Sequence, residues 1–152
     1  MQLWYPGKEG GTALAIVLFG EYNPAVRLPV TFYKSIDQLP PFKDYNMKGR
    51  TYRYFKGEPL YKLGYGLSYT EFEYGNFLNP DEVPAGDSVE VSVDVKNTGK
   101  VAGDEVVQLY VKNETAKRNV PIRSLEGIKR VSLRPGEKQT VYRWRRLRIQ
   151  NF

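Results

Sequence analysis

The sequence predicts a mainly β fold, with a β-sandwich in the second half of the chain and a fragment of an α/β sandwich domain before it. The main observation is a run of valines that alternate with polar residues, Val89, Val91, Val93 and Val95. This period of two is typical of a half-buried strand. Further apolar runs follow at short intervals, separated by turns rich in Gly and Pro. Such spacing is typical of a sandwich with immunoglobulin-like or fibronectin-like organisation.

The first half of the chain predicts one helix and two short extended pieces. Residues 13–19 are apolar and lie between glycines, which predicts a helix with Thr12 near its N-cap and Gly20 just past its end. This helix is apolar all round, so we expect it to need a covering surface that residues 1–60 do not supply. We also expect a strand at residues 28–33 and an extended piece at residues 50–55.

Four strands are predicted in the second half. They begin near Ser88, Glu105, Ile128 and Lys138, and the segments 97–100 and 134–137 form turns between them. Asp104 and Glu105 are adjacent on a strand and therefore point to opposite faces, so we expect solvent exposure for them, not a shared cation site.

The last strand departs from the expected pattern. If Val141 points inward, Arg143 and Arg145 do so too, which would bury two guanidinium groups. Either the strand bulges after Val141, or the sequence is aberrant from about residue 142 and leaves the sandwich incomplete.

Composition excludes several classes of function. The chain of 152 residues has no Cys and no His, so thiolate chemistry, histidine acid–base catalysis and the usual zinc sites are excluded, and we expect no cofactor. It has no apolar run long enough for a membrane span and no visible secretory signal. The net charge of +6 is concentrated in residues 134–152. We interpret this basic tail as a solvated or aberrant segment and expect no nucleic-acid partner.

Several ordered motifs resemble family 3 glycoside hydrolases. In the first half they are residues 4–13 (WYPGKEGGTA), 18–24 (LFGEYNP), 27–32 (RLPVTF), 49–55 (GRTYRYF) and 63–70 (LGYGLSYT). Residues 32–35 (FYKS) together with 39–42 (LPPF) are most similar to bacterial β-xylosidases and β-glucosidases of the family. In the second half, residues 97–99, 102–110 and 125–127 resemble the fibronectin type III-like module that follows in many members. The segment from Tyr142 departs from the family, and a shifted reading frame or a gene remnant is the preferred explanation.

The resemblance implies two regions and a parent activity. Residues 1–70 would be the C-terminal fragment of the family's α/β domain, and residues 71–152 its fibronectin type III-like β-sandwich. The family performs retaining hydrolysis of β-glucosides or β-xylosides with two carboxylates. Neither carboxylate maps onto this chain, so no catalytic residue is assigned. The implied partners are the catalytic domains of the parent enzyme, and the location is periplasmic or secreted if the parent follows the family.

Three residues are candidates for contact with sugar. Trp4 and Tyr5 have aromatic faces that could stack on pyranose rings, and Glu9 precedes a helix where backbone amides converge. Helix-start bracing is the more ordinary role for Glu9, and core packing is the more ordinary role for the tyrosines between residues 52 and 74.

Two functional hypotheses follow. The first is an accessory region of a β-glycosidase that has no activity alone and stabilises the catalytic domains. The alternative is a free-standing carbohydrate-binding β-sandwich that takes a β-linked oligosaccharide.

Overall fold

The computed structural model describes residues 1, 3–84, 87–114 and 120–146, with the backbone alone for residues 143–146. The elements in this part of the chain are α1 (Gly10–Leu18), a 3-10 turn (Ile36–Gln38), α2 (Thr51–Tyr54), β1 (Phe72–Leu78), β2 (Ser88–Asn97), β3 (Gly103–Val111), β4 (Ser124–Leu133) and β5 (Lys138–Arg146). The predicted mainly β fold is confirmed. The longest helix, α1, has nine residues, so no helix among the described residues is long enough to cross a membrane.

The strands form two sheets. One has the order β1-β2-β5 with antiparallel pairs, and the other pairs β3 with β4. The pairing of β2 with β5 runs without a shift from Lys96 opposite Lys138 to Ser88 opposite Arg146. A bulge after Val141, one of the two alternatives for the last strand, is therefore wrong. The predicted aberrant segment lies partly outside the described residues and stays a prediction.

Strand β1 was not predicted from the sequence. Its residues alternate poorly between polar and apolar, and its pairing with β2 shifts between Gly75 and Leu78. Asn76 lies at this irregularity with a φ of 48°, a backbone conformation that asparagine tolerates better than most residues. An irregular edge strand of this kind leaves no regular period in the sequence.

Strands β2 to β5 each contain buried apolar residues, and in β4 two of them, Val131 and Leu133, occupy alternate positions. The buried residues of this set are Val95, Val107, Val131, Leu133 and Val141. The prediction that β2 is only half-buried is wrong, because its polar residues Ser92 and Asp94 are buried as well. Strand β2 is central in its sheet, so side chains of both neighbouring strands cover its polar face.

Helix α1 begins and ends close to the predicted positions. Gly20 follows the C-cap residue Phe19 with a φ of 82°, which confirms its predicted place and suits a residue without a Cβ. The N-cap is Glu9, not Thr12, which lies inside the first turn and donates a hydrogen bond of 3.2 Å from its hydroxyl to the Glu9 carboxylate. No residue of α1 is buried.

Two predicted extended pieces are wrong. Residues 28–33 contain only an isolated bridge between Phe32 and Tyr61, because segments 28–32 and 61–65 meet only at their ends. Residues 51–54 form the single turn α2 despite the strand preference of Thr and Tyr. Contacts outside this segment decide its conformation, since the Thr51 amide donates to the Tyr33 hydroxyl at 2.7 Å.

Residue contacts divide the chain into two compact units. Unit 1 comprises residues 1–25, 68–105 and 130–152, and unit 2 comprises residues 26–67 and 106–129. Each unit combines residues from both sides of position 70. The functional candidates are described within each unit below.

Candidate functional site

The three candidate sugar contacts lie at the start of unit 1. Trp4 is half exposed, Tyr5 is fully exposed, and Glu9 is an exposed N-cap of α1. Trp4 has a φ of 53°, a left-handed conformation that is uncommon for a bulky residue. A turn closed by the bond from the Gly10 amide to the Gly7 carbonyl, 3.0 Å long, separates the two aromatic residues from the helix. Their contact with sugar stays a prediction.

The acidic pair on β3 has two different roles. Asp104 forms an ion pair with Arg130, whose Nε donates to the carboxylate at 2.7 Å and whose other nitrogen donates to the Tyr22 hydroxyl at 3.0 Å. Glu105 is only 6% exposed and accepts a hydrogen bond of 2.8 Å from Tyr74. The predicted opposite faces are consistent with these partners, but the expected exposure of Glu105 is wrong, because this residue is buried and bonds Tyr74 of β1 in the other sheet.

Asp94 is a buried carboxylate that sequence reasoning missed. It accepts hydrogen bonds from the Thr140 hydroxyl at 2.6 Å, from Asn76 at 2.8 Å and from the Lys138 ammonium at 3.0 Å. These three donors lower the pKa of Asp94 to about 2, with Thr140 as the first cause. The strand register supplies one of these partners directly, since Asp94 lies opposite Thr140 on β5. The group is satisfied by its neighbours and stabilises the sheet.

The tyrosine-rich segment contributes mainly aromatic contacts inside unit 2. Tyr52 packs edge-to-face on Tyr110 with ring centroids 6.0 Å apart, and its hydroxyl accepts from the Leu125 amide at 3.1 Å. Arg123 lies over the Tyr110 ring at 5.0 Å. Burial raises the pKa of Tyr110. Tyr61 and Tyr65 stack with centroids 4.9 Å apart and are each partly exposed. Most of these rings therefore pack against other parts of the unit.

No group of three or more Asp, Glu, His or Cys side chains close enough to hold a metal ion occurs among the residues that the structure describes. A surface depression of about 640 Å³ lies on unit 2, beside the loop that contains Asp44 and Asn46. Sequence reasoning did not single out this loop. Its residues carry no motif of a known site, and only the fold brings them together with Tyr54.

Family models match both halves of the chain. The glycosyl hydrolase family 3 C-terminal domain matches residues 1–69, and the fibronectin type III-like domain matches residues 105–142. The chain belongs to the C-terminal part of a family 3 glycoside hydrolase. The resemblance predicted from the motifs is confirmed, as is the β-sandwich fold class.

Curated relatives of this family region are named as β-glycosidases. The chain is 49% identical to a xylan 1,4-β-xylosidase of Xylanibacter ruminicola over 92% of its own length and 16% of the relative. It is 40% identical to a periplasmic β-glucosidase of Salmonella typhimurium, over 93% of its own length and 20% of the relative. The chain thus spans at most about one fifth of the length of these relatives.

Solved structures confirm the fold of the family region. The chain superposes on β-glucosidase 3B of Thermotoga neapolitana in complex with glucose with a TM-score of 0.86 at 34% identity. The match covers 95% of this chain and 22% of that one. A β-glucosidase of Listeria innocua in complex with glucose matches with a TM-score of 0.80 at 34% identity, again over 22% of its chain.

Proposed function

We propose that this family 3 region is an accessory part of a β-glycosidase that is inactive alone and packs on the catalytic domains of its parent. The proposal rests mainly on α1, a largely apolar helix in which no residue is buried. Leu18 and the following Phe19 are largely exposed, the latter to 85%. An apolar helix is stable when it is covered, and the relatives are about five times longer than this chain.

Hydrogen bonds within unit 1 support the same role. Asn23 donates from its side-chain nitrogen to the Ala102 carbonyl at 3.0 Å, and its oxygen accepts from Ser68 at 2.9 Å and from the Tyr69 amide at 2.8 Å. The Tyr69 hydroxyl donates to the Val17 carbonyl at 2.7 Å. These bonds join the helix end to the start of the strand region. The sandwich would therefore brace the residues that contact the parent's catalytic domains.

The proposal retains the division at position 70. Residues 1–70 would be the last part of the α/β domain and residues 71–152 the fibronectin type III-like sandwich, with sequence beyond about residue 142 aberrant. The names of the relatives favour β-xylosides or β-glucosides as substrates of the parent.

Two measurements test the accessory role. The purified chain should not hydrolyse aryl β-xylosides or aryl β-glucosides. It should also co-purify with a Xylanibacter ruminicola relative from which the matching segment has been deleted. Leu18→Glu in α1 should weaken this association, and Leu78→Glu, an equally exposed residue of β1, serves as the matched control. Hydrolysis by the chain that a Glu9→Gln substitution abolishes would overturn the proposal, as would the absence of any association.

A second candidate is a free-standing carbohydrate-binding module that uses Trp4, Tyr5 and Glu9. The exposure of both aromatic side chains favours it. Calorimetric titration with xylo-oligosaccharides should then show saturable binding that Trp4→Ala and Tyr5→Ala each weaken. Binding that is unaffected by both substitutions would remove this candidate.

A further inference from the structure

Residues 106–111 of β3 (VVQLYV) form a strand edge in unit 2 that has no neighbouring strand. Among the described residues, the sheet that contains β3 has only β4 as a second strand, so β3 has one open side. In the same part of the chain, the backbone of residues 106–111 bonds no group outside this sheet. An edge of this kind presents a row of amide and carbonyl groups with which another strand can pair.

The start of β4 differs from this edge, because α2 and its neighbourhood bond it from outside the sheet. The Leu125 amide donates to the Tyr52 hydroxyl at 3.1 Å. Just before β4, the Ile122 amide donates to the Arg53 carbonyl at 2.6 Å. Within unit 2, a new strand therefore finds backbone groups more readily on β3 than at the start of β4.

The edges of the other sheet carry features that discourage pairing. The pairing of β1 with β2 shifts between Gly75 and Leu78, and such an irregularity bends an edge strand. Strand β5 has four basic residues among its nine, which oppose pairing with a second strand of the same kind. Residues 106–111 include no charged residue, no Pro and no Gly. Segments of about six residues with this composition and a high β-propensity pair readily with copies of themselves.

Opposite charges flank this segment and favour a second copy in antiparallel orientation. The acidic end consists of Asp104 and Glu105, which precede the segment. The basic end consists of Lys112, which follows it, and Arg123, which lies over the Tyr110 ring at 5.0 Å. Two antiparallel strands place the start of one beside the end of the other, so the acidic end of each copy meets the basic end of its partner. A parallel pair would place like charges side by side.

Local ion pairs do not cancel this complementarity. Arg130 forms an ion pair at the acidic end, and Glu114 forms one at the basic end at 3.3 Å. Each end then has two charges of its own sign and one of the opposite sign, so a net charge of its own sign remains. Lys112 is also accessible to a partner, because its side chain is 60% exposed.

We propose that residues 106–111 of β3 pair with the same segment of a second copy of this chain in antiparallel orientation. Backbone hydrogen bonds supply the affinity of such a contact, and the flanking charges set its direction. Both copies use the same surface, so the contact is symmetric and closes at a dimer. The two β3 strands join their sheets into one. This contact does not involve α1, and it is independent of the proposed accessory role.

The experiment is sedimentation equilibrium of the full chain over a range of concentrations. It uses a background variant with Leu18→Lys and Phe19→Ser, which removes association through α1. We expect an equilibrium between monomer and dimer, with no larger species.

Two substitutions in this background test the surface. Val111→Glu and Lys112→Glu should each weaken the dimer about tenfold, because each adds negative charge beside the acidic end of the partner. The matched controls are Val30→Glu and Lys100→Glu, which change the charge equally at exposed positions outside the strands. Val111 and Val30 are 39% and 45% exposed. Both controls should form the dimer as the background variant does.

Hydrogen exchange followed by mass spectrometry tests the edge without any substitution in β3. Exchange of residues 106–111 should slow as the concentration of the background variant rises, and exchange of β5 should stay unchanged. Circular dichroism shows whether Val111→Glu is folded. If it is not, the exposed Lys112→Glu and the exchange measurement decide.

Several results would overturn this dimer. These are a monomer at all concentrations, growth beyond a dimer, equal weakening by the control substitutions, or slowed exchange in β5 in place of β3. The accessory role is tested by co-purification with the shortened relative, so each proposal can fail while the other stands.

Discussion

Asn97 connects four points of unit 1 from a fully buried position at the end of β2. Its oxygen accepts from the Thr70 hydroxyl at 2.7 Å and from the Gly99 amide at 3.0 Å. Its nitrogen donates to the carbonyls of Val101 at 2.8 Å and Leu133 at 3.0 Å. The side chain thus satisfies backbone groups that would otherwise be buried without a partner.

Asn97→Ala should lower the free energy of unfolding by about 2–4 kcal/mol, because several buried donors and acceptors lose their partner at once. Urea denaturation followed by circular dichroism measures this change. Asn79→Ala is the control, since Asn79 is exposed and its side chain donates only to the next residue at 3.4 Å. A loss below about 0.5 kcal/mol, the range of an ordinary surface substitution, would contradict the role given to Asn97.

Asp94 makes stability depend on pH in the acidic range. Its pKa is about 2 in the folded protein, below the ordinary value of 3.8, so folding favours the ionised form. Its contribution is therefore complete above about pH 4 and is lost as the pH falls toward about 2. We expect Asp94→Asn to lower the urea midpoint at pH 7. Between pH 4 and pH 2, the urea midpoint of this variant should fall less than that of the unchanged chain.

The exposed residue Asp81 provides the comparison for this effect. Asp81→Asn should leave the acidic fall of the urea midpoint as steep as in the unchanged chain. If Asp94→Asn and Asp81→Asn give the same curve, the hydrogen bonds of Asp94 do not favour its ionised form.

Strand β5 continues through the segment where the sequence pattern fails. The backbone register sets Arg143 opposite Val91 and Arg145 opposite Val89. These two pairs follow the pair of Val141 and Val93 at every second position along the strands. Paired residues of antiparallel strands share one face of the sheet. Two arginines therefore occupy register positions where a sandwich strand would carry apolar residues.

Arg143→Val should raise the free energy of unfolding by about 1 kcal/mol, because valine suits a strand position opposite a half-buried valine. Tyr142→Val is the control, since Tyr142 is exposed and pairs with Ser92. Thermal unfolding of both variants measures the difference. A lower stability of Arg143→Val would mean that the arginine makes favourable contacts that the register does not reveal.

The elements that the sequence predicted are those with a regular period and strong turn residues. The alternating valines of β2 and the turn around Gly136, whose φ is 76°, were identified for this reason. The sequence also indicated the apolar helix. It did not indicate α2, because Tyr33 and Leu125, far along the chain, bond this segment. The loop around Asp44 was missed for a different reason: Arg50 is close in sequence, but it bonds backbone carbonyls, which carry no sequence pattern.

At the scale of the whole molecule, the described residues leave a large apolar surface exposed. Helix α1 has no buried residue, and Leu18 and Phe19 are accessible at its end. This chain matches only about one fifth of the length of the Salmonella typhimurium relative. Apolar surface of this kind drives association in water.

We expect the isolated chain to associate with itself as its concentration rises. Sedimentation velocity should show a rising average mass, and Leu18→Lys combined with Phe19→Ser should reduce it. Leu78→Ser is the control, because Leu78 is equally exposed but lies on β1. A monomer at all concentrations, or equal effects of both changes, would show that α1 does not drive association.

The burial of Asn97 also bears on how β2 finds its correct neighbours. A slip of two residues along β1 or β5 would bring Val95 or Gly99 to the buried position. Neither residue has a side chain that offers both a donor pair and an acceptor, so the carbonyls of Val101 and Leu133 or the Gly99 amide would lose their partner. The valines of β2 could be displaced by two residues and still face inward. One asparagine thus discriminates against shifted pairings that the repetitive valine pattern alone would tolerate.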